Sequence, residues 1–288
     1  MKKKKFNSIP FLVIAFFIFL GIYLYPYVSD RWNAYRNKQL IVEYQQMVEI
    51  SDEDHIDKYD EEYEKAVEYN KELAEMTNKV ITKTDEETDA VYEGLLNTNG
   101  EGMMGFCEVP KLQLEAPIYH YSSDDILDKG IGHIYGSSLP IGTESSHSVL
   151  SGHRGLPFSK LFTDLDLMEA GDKFYIHVLG HDLAYEVFDI KVVLPDEVDS
   201  LVIEPGEDLV TLVTCTPYGV NTHRLLVTGK RCEYDVEIKQ EENEKGKTLQ
   251  REKKITPQNV TVLGLVVFVA VMLISMIISK KKKKGVVK

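Results

Sequence analysis

The sequence is short of several things that whole classes of protein require. Only three cysteines occur in 288 residues: Cys107, Cys215 and Cys232. That density excludes a disulfide-built scaffold, and an odd number leaves at least one thiol unpaired within a monomer. Cys107 and Cys232 could still pair with each other. The cysteine spacings match no zinc ribbon or finger, and nothing in the residues demands a metal or a cofactor. Basic residues are outnumbered 33 to 46 by acidic ones, which argues against nucleic-acid binding, since that needs basic patches. Proline is missing from the whole stretch between Tyr27 and Val109.

What basic charge there is collects at the two ends. Lys2 to Lys5 open the chain, and Lys280 to Lys284 with Lys288 close it. These tails hold ten Lys and no acidic residue, so the segment between them keeps 23 basic and 46 acidic residues, a net charge of −23. Beside each Lys cluster lies an apolar run, Ile9 to Tyr25 and Val260 to Ile278. A bilayer core takes roughly 20 apolar residues of helix, so both runs qualify as spans. The first is followed by Tyr25, Pro26 and Tyr27 rather than by a small-x-small cleavage site. It therefore reads as an uncleaved signal anchor. Lys-rich flanks stay in the cytoplasm, which predicts a two-pass membrane protein with both termini inside and the acidic segment outside.

Between the spans the pattern changes twice. From Ser29 to about Lys79 the chain is polar, with Trp32, Tyr35, Tyr59, Tyr63, Ala66, Leu73 and Met76 near helical spacing. The period predicts two amphipathic helices divided near Ser51 to His55; a solvated stalk is the competing reading. Thr82 to Gly102 is acidic and turn-rich, a loop or short helix. Beyond it come short apolar runs broken by turn residues, among them "SVLSG", "KFYIHVL", "LAYEVFDIKVVL", "DLVTLVTC" and "HRLLVTGKR". Many short strands of this kind predict a mainly β domain, a barrel or sandwich. "PFSKLFTDLDLMEAGD" has a different period and reads as a short helix ending near Gly171.

The chemistry concentrates at "TLVTCTPYGVNTHR". "DLVTLVT" suits a pleated strand. Pro217 cannot donate to a ladder and Gly219 tolerates positive φ, so the strand ends at Cys215 and resumes near Arg224. If the two strands are neighbours, both side chains can face one cleft. A cation beside a thiol favours the nucleophilic thiolate, and an Arg can donate to an oxyanion. A buried structural Cys with a surface Arg is the plain alternative. His153 stands in a loop bounded by Gly155 and Pro157, where a general acid and base could sit. Periodicity does not select it over His133 or His147. His177 and His181 have i, i+4 spacing but lie in strand-like sequence, against a metal pair.

Three motifs, "SGHRG", "TLVTCTPYG" and "NTHRLLVTGKR", in that order and separation, resemble the sortases. "GHIYGSSLPIGTESSHSVLSGHRGLPFSKLFTDLDLMEAGDKFYIHVLG" looks like their class C, pilus-assembling branch. The resemblance spans about Gly102 to Arg231. It implies an eight-stranded barrel with short helices, with Cys215 as nucleophile, His153 as general acid and base, and Arg224 as oxyanion and substrate clamp. It implies cleavage of a Leu-Pro-x-Thr-Gly-type signal between Thr and Gly, then transfer of the acyl group to a pilin Lys amine or a cell-wall peptide. The Asp-Pro-aromatic lid of many class C members is absent, so Thr82 to Thr98 holds a divergent lid or none; the housekeeping class's calcium site is not recognisable either.

The chain then divides into a Lys-rich tail (1–8), a signal anchor (9–27), a helical region (28–81) and a loop (82–101). A catalytic domain (102–236), a charged linker (237–258), a second span (259–279) and a tail (280–288) follow. A non-enzymatic surface protein and a hydrolytic cysteine protease are the readings from other classes. Against the former, no Leu-Pro-x-Thr-Gly precedes Val260.

Overall fold

Runs of Val, Leu, Ile and Thr fold into eight strands that close on themselves in the computed structural model. It describes residues 9–49, 53–76, 89–98, 100–197 and 199–254, with isolated positions between 264 and 274. The strands are β1 (Met103–Val109), β2 (Leu114–His120), β3 (Ile131–His133), β4 (Ser146–Ser151), β5 (Lys173–Val178), β6 (His181–Val193), β7 (Asp208–Thr216) and β8 (His223–Cys232). Around the closed barrel their order is β1-β2-β3-β4-β7-β8-β6-β5. Two neighbouring pairs are parallel, β2 with β3 and β4 with β7. Closure removes the exposed edges that would otherwise template aggregation. The interior is filled by side chains such as Ile118, Phe174, Tyr185, Leu212 and Val227, all fully or nearly fully buried. The 161–167 stretch, expected as a short helix, is a 3-10 helix, Leu161–Leu167, that buries Leu161, Phe162 and Leu165.

The helices are α1 (Ile9–Glu49), α2 (Glu53–Glu75), α3 (Ala90–Gly94), α4 (Asp124–Leu127) and α5 (Val236–Lys254). The break between α1 and α2 falls where periodicity put it. The anchor and the first amphipathic segment, however, form one 41-residue helix that runs through Pro26. Among the described residues α1 is the one helix long and apolar enough to cross a membrane, consistent with a membrane anchor. Most of the second apolar run, 259–279, lies outside the described residues, as do both Lys-rich tails.

The stalk reading is corrected by how α1 and α2 dock. The Tyr44 hydroxyl donates to Met104 O (3.1 Å) and accepts from Leu179 N (2.8 Å). Buried Asn70 pairs with both backbone groups of Leu139, donating at 3.0 Å and accepting at 2.7 Å. The Tyr63 hydroxyl donates to Ile141 O. Each such bond nets on the order of 1 kcal/mol, and losing Asn70 would strand the buried Leu139 N–H, whereas Leu139 O keeps its bond from Ile141 N (2.9 Å). The expected stripe is also corrected. Tyr59 and Ala66 are buried as expected, but Trp32, Tyr35 and Met76 are exposed, and Ile41 and Tyr44 are among the α1 residues that meet the barrel.

A second correction concerns the expected linker 237–258. Most of it is α5, packed on the 3-10 turn Pro110–Leu112 that joins β1 to β2. Its contacts are polar. Lys239 Nζ lies 2.6 Å from Glu108 Oε2, Asn243 Oδ1 accepts from Gln113 (2.8 Å), and Glu242 accepts from the Lys173 N–H (3.0 Å). Burial works to raise the Glu108 carboxyl, but His177 and Lys239 overcome it and hold it below the usual range. Gly246 lets the helix approach: a Cβ there would fall 2.2 Å from Pro110 O and 2.8 Å from Lys111 O.

Two outcomes follow for α5. Gly246→Ala should undock the helix despite alanine's better propensity, at a cost of about 1–3 kcal/mol by analogy with overpacked cores. A lower melting temperature and new proteolytic cleavage between residues 233 and 254 check it; unchanged protection would refute the close contact. Burial pushes the Glu242 carboxyl up to about 7, against the opposing hydrogen bond from Lys173 N–H. Its folded value exceeds its unfolded one, so the folded state loses stability as pH rises from about 4.5 to about 7. Glu242→Gln should therefore melt like the wild type near pH 4 and above it at pH 8. A melting difference that does not vary with pH would contradict this.

Candidate active site

β7 ends because Pro217 follows it, and Cys215 is its penultimate residue, half-buried. The turn back is closed by Val220 N and Asn221 N, which both donate to Pro217 O at 3.0 Å. Gly219 and Asn221 take positive φ, 73° and 61°. The antiparallel register then sets Cys215 directly opposite Arg224, and Thr216 opposite His223. Side chains opposed in this way share a face, their Cβ atoms about 5 Å apart. Cys215 and Arg224 thus lie on one face, and alternation sends Thr216 and His223 to the other. Arg224 Nη1 donates to the turn carbonyls of His223 (3.2 Å) and Asn221 (3.4 Å). Those bonds hold the guanidinium on the β7–β8 turn.

His153 is carried in by β4. The parallel ladder pairs Ser151 with Val213. It extends one residue further through Gly152 N to Val213 O (3.0 Å) and Thr214 Oγ1 to Gly152 O (2.7 Å). That brings His153 level with Cys215. No other residue type fits at Gly152, because the Phe162 ring stands 2.5 Å from where a Cβ would be. On its outer side the imidazole meets two carboxylates that the sequence reading did not pick out. Asp124 and Asp128, at the two ends of α4, each place Oδ1 4.0 Å from His153 Nε2. The acidic turn "SSDDILD" was visible in the sequence, but nothing in it says which loop it faces.

Five other histidines are engaged elsewhere. His133 is fully buried between the Tyr92 hydroxyl (2.7 Å) and Ser138 O (2.8 Å), and burial lowers it to about 4. His147 is bonded to Val202 O and Thr211 Oγ1, and burial lowers it as well. His120 bridges Leu95 O and Gly102 O. His177 pairs with Asp182 and Glu108, while His181 packs on Tyr63, so the two do not converge on a metal. Among the described residues no group of three His, Cys, Asp or Glu is arranged to hold one.

All three thiols are free, so Cys107 and Cys232 do not pair. Cys107 is fully buried, and burial followed by the neighbouring Glu108 charge pushes its thiol far up. Of the segment expected to hold a lid or loop, residues 82–88 lie outside the described residues. From Asp89 onward it is built into the core. Asp89 caps α3, Tyr92 and Leu96 are fully buried, and Leu96 N donates to Glu62 (2.7 Å). A lid drawn from those residues would have to unpack the core.

A sortase-domain profile matches residues 107–232. Among curated proteins the chain is similar to sortase D of Bacillus subtilis, 31% identical over 130 residues, which are 44% of this chain and 63% of that protein. It is similar to sortase A of Bacillus anthracis, 27% identical over 127 residues, 44% of this chain and 59% of that protein. The match thus spans about three-fifths of these relatives. Among solved structures it is similar to sortase C1 of Streptococcus agalactiae, 42% identical with a TM-score of 0.61, over 68% of this chain and 100% of that one. Sortase C of Streptococcus pneumoniae is 40% identical with a TM-score of 0.59, over 68% and 97%. A sortase C of Clostridium perfringens, 40% identical with a TM-score of 0.56 over 68% and 99%, was solved with the C-terminal cell wall sorting motif.

The three thiols should differ sharply toward a methanethiosulfonate reagent. Cys215 should be modified in the native full chain, and Cys107 only after denaturation, read by mass mapping of the labelled peptides. Native labelling of Cys107 at the rate of Cys215 would contradict the burial described here.

Proposed function

The chain belongs to the sortase family, and from that premise we propose that it is a membrane-anchored cysteine transpeptidase that polymerises pilins. The register carries the reading: Cys215 is opposite Arg224 across one ladder and level with His153 across the other. The substrate is a sorting signal of the Leu-Pro-x-Thr-Gly type. Cys215 passes its proton to His153 and attacks the Thr carbonyl as the thiolate, and Arg224 donates hydrogen bonds to the oxyanion that forms. His153 protonates the departing Gly amine, leaving a thioester on Cys215. A pilin Lys amine then attacks, loses its proton to His153, and leaves as an isopeptide. Preorganised donors aimed at a developing oxyanion are commonly the largest single source of rate in acyl transfer.

The class C assignment is supported by the solved structures near 40% identity, all sortases C. The topology proposed is two-pass, with spans 9–27 and 259–279, both Lys-rich tails in the cytoplasm and the barrel outside. Because α1 passes without a break from the apolar segment into its barrel contacts, the barrel is held close to the membrane face.

The test is the full chain in detergent with pilins bearing the sorting signal, watched for a covalent ladder. Cys215→Ala should abolish it, whereas Cys107→Ala and Cys232→Ala should retain most of it. His153→Ala and Arg224→Ala should fold normally and each lose on the order of a hundredfold or more in rate. Arg224→Lys should recover only part, because Lys lacks the planar fork. Turnover surviving in Cys215→Ala would sink the reading, and products attached only to cell-wall peptide would replace the pilin acceptor.

A further inference from the structure

Arg154 directly follows His153 yet points inward, its side chain only 8% exposed. Burying a guanidinium is costly unless it is paired and hydrogen-bonded. Its Nη2 lies 2.6 Å from Asp166 Oδ2, in the 3-10 helix that backs the His153 loop. Nη1 donates to Thr216 Oγ1 at 3.2 Å, one residue beyond Cys215. The guanidinium carbon stands 5.9 Å from the ring centre of Tyr218. The same ring closes on Gly155, where a Cβ would come within 2.9 Å. The two residues after His153 therefore grip the residues after Cys215. Nε is buried without a protein partner, so the position is not optimised for stability alone, a pattern expected where function holds a residue in place.

We propose that Arg154 is a positioning residue of the transpeptidation site, fastening the loop that carries His153 to the segment that follows Cys215 and so setting the approach of imidazole to thiol. This rests on the reading of Cys215 and His153 as the reacting pair. It is distinct from the role given to Arg224, which acts on the substrate itself. Arginine is required because its fork reaches Asp166 and Thr216 in two directions. A Lys ammonium on the same stem could answer Asp166 but not hold both in one fixed geometry. Small displacements of reacting groups are expensive, about 1 Å costing on the order of a hundredfold.

The experiment measures the full chain in detergent with a fluorogenic Leu-Pro-x-Thr-Gly peptide and a Lys-containing acceptor peptide. The variants are Arg154→Lys, Thr216→Val and the double variant. Thr216→Val removes the bond to the Cys215 segment while leaving the Arg154–Asp166 pair intact, so it guards against simple misfolding. Both single variants should lower kcat at least about fivefold, with KM within about twofold and the melting temperature near that of the wild type. Both should also move the pH optimum of kcat/KM in the same direction. The double variant should be little worse than either single one, since a shared contact can be broken only once. Unchanged kcat and pH profile in both singles, or losses that multiply in the double, would overturn the proposal. So would loss of activity only in step with a lower melting temperature. Wild-type turnover that vanishes in Cys215→Ala is the reference: its absence refutes the transpeptidase reading as well, whereas unaltered Arg154 and Thr216 kinetics on an active background refute only the positioning role.

Discussion

Backbone pairing between β4 and β7 runs in parallel from Ser146–Asp208 to Ser151–Val213, and the placement of the proposed reactive groups depends on that register. A slip of one residue would turn each β4 side chain to the other face and carry His153 away from Cys215. The register is pinned from both sides. Val149 packs outward with Val213 and Leu226, while Leu150 and Leu212 face the interior. At the reactive end, Thr214 Oγ1 holds Gly152 O, and the Phe162 ring fills the space that a side chain at Gly152 would need. The antiparallel β7–β8 pairing then adds Arg224 at no further constraint, since any chain that returns through Pro217 to Thr222 with this turn delivers residue 224 opposite residue 215.

The helices make that barrel part of the anchor. α1 meets β1 and β2 through Ile41, Tyr44, Met103, Phe106 and Tyr119, and its Asn33 donates to Phe158 O (2.6 Å) in the loop downstream of His153. A single helix therefore touches both the apolar segment that enters the bilayer, on the proposed topology, and the loop of the site. Trp32 and Tyr35 lie exposed just above that segment. Amphipathic rings at that level suit a membrane–water interface better than a barrel wall. Their spacing matched the packing stripe, but neither packs on the barrel.

How much of this was legible depended on what each element packs with. The strands around Cys215 and Arg224 could be read because Leu, Val and Thr suit a pleated strand and Pro217 and Gly219 punctuate the run. The candidate His could not be chosen by spacing. His133 and His147 also stand in or beside short strands, and what separates them from His153 is burial and the partners Tyr92, Ser138, Val202 and Thr211. Only the motif resemblance pointed to His153. α5 was missed for a physical reason: it docks through Lys239, Glu242, Asn243 and Gln250 and through the bare surface of Gly246, so it has no apolar period to detect. α3 is a short helix within the stretch read as a loop or short helix, but nothing in that acidic stretch marked its Tyr92 as one of the largest fully buried side chains.

Charge is sorted around the site by sign. Two carboxylates, Asp124 and Asp128, flank the imidazole, while the guanidinium-bearing Arg224 stands opposite Cys215. In the proposed reaction positive charge develops on His153 as it takes up a proton, and negative charge develops on the carbonyl oxygen beside Cys215. Each fixed charge is thus of the sign that stabilises the charge forming next to it, and it is in place before the reaction begins. The arrangement also separates cost from use. Arg154 is buried and neutralised by Asp166, so its contribution is geometric. Asp124 and Asp128 face solvent, where each exerts a weaker, salt-screened field but remains within reach of an incoming amine. In the proposed reaction an acceptor Lys reaches the site as a cation and gives up one proton to solvent before its neutral amine attacks. On that reaction, the two carboxylates beside the imidazole, each with Oδ1 4.0 Å from His153 Nε2, favour the approach of a cationic acceptor to the place where its amine would attack.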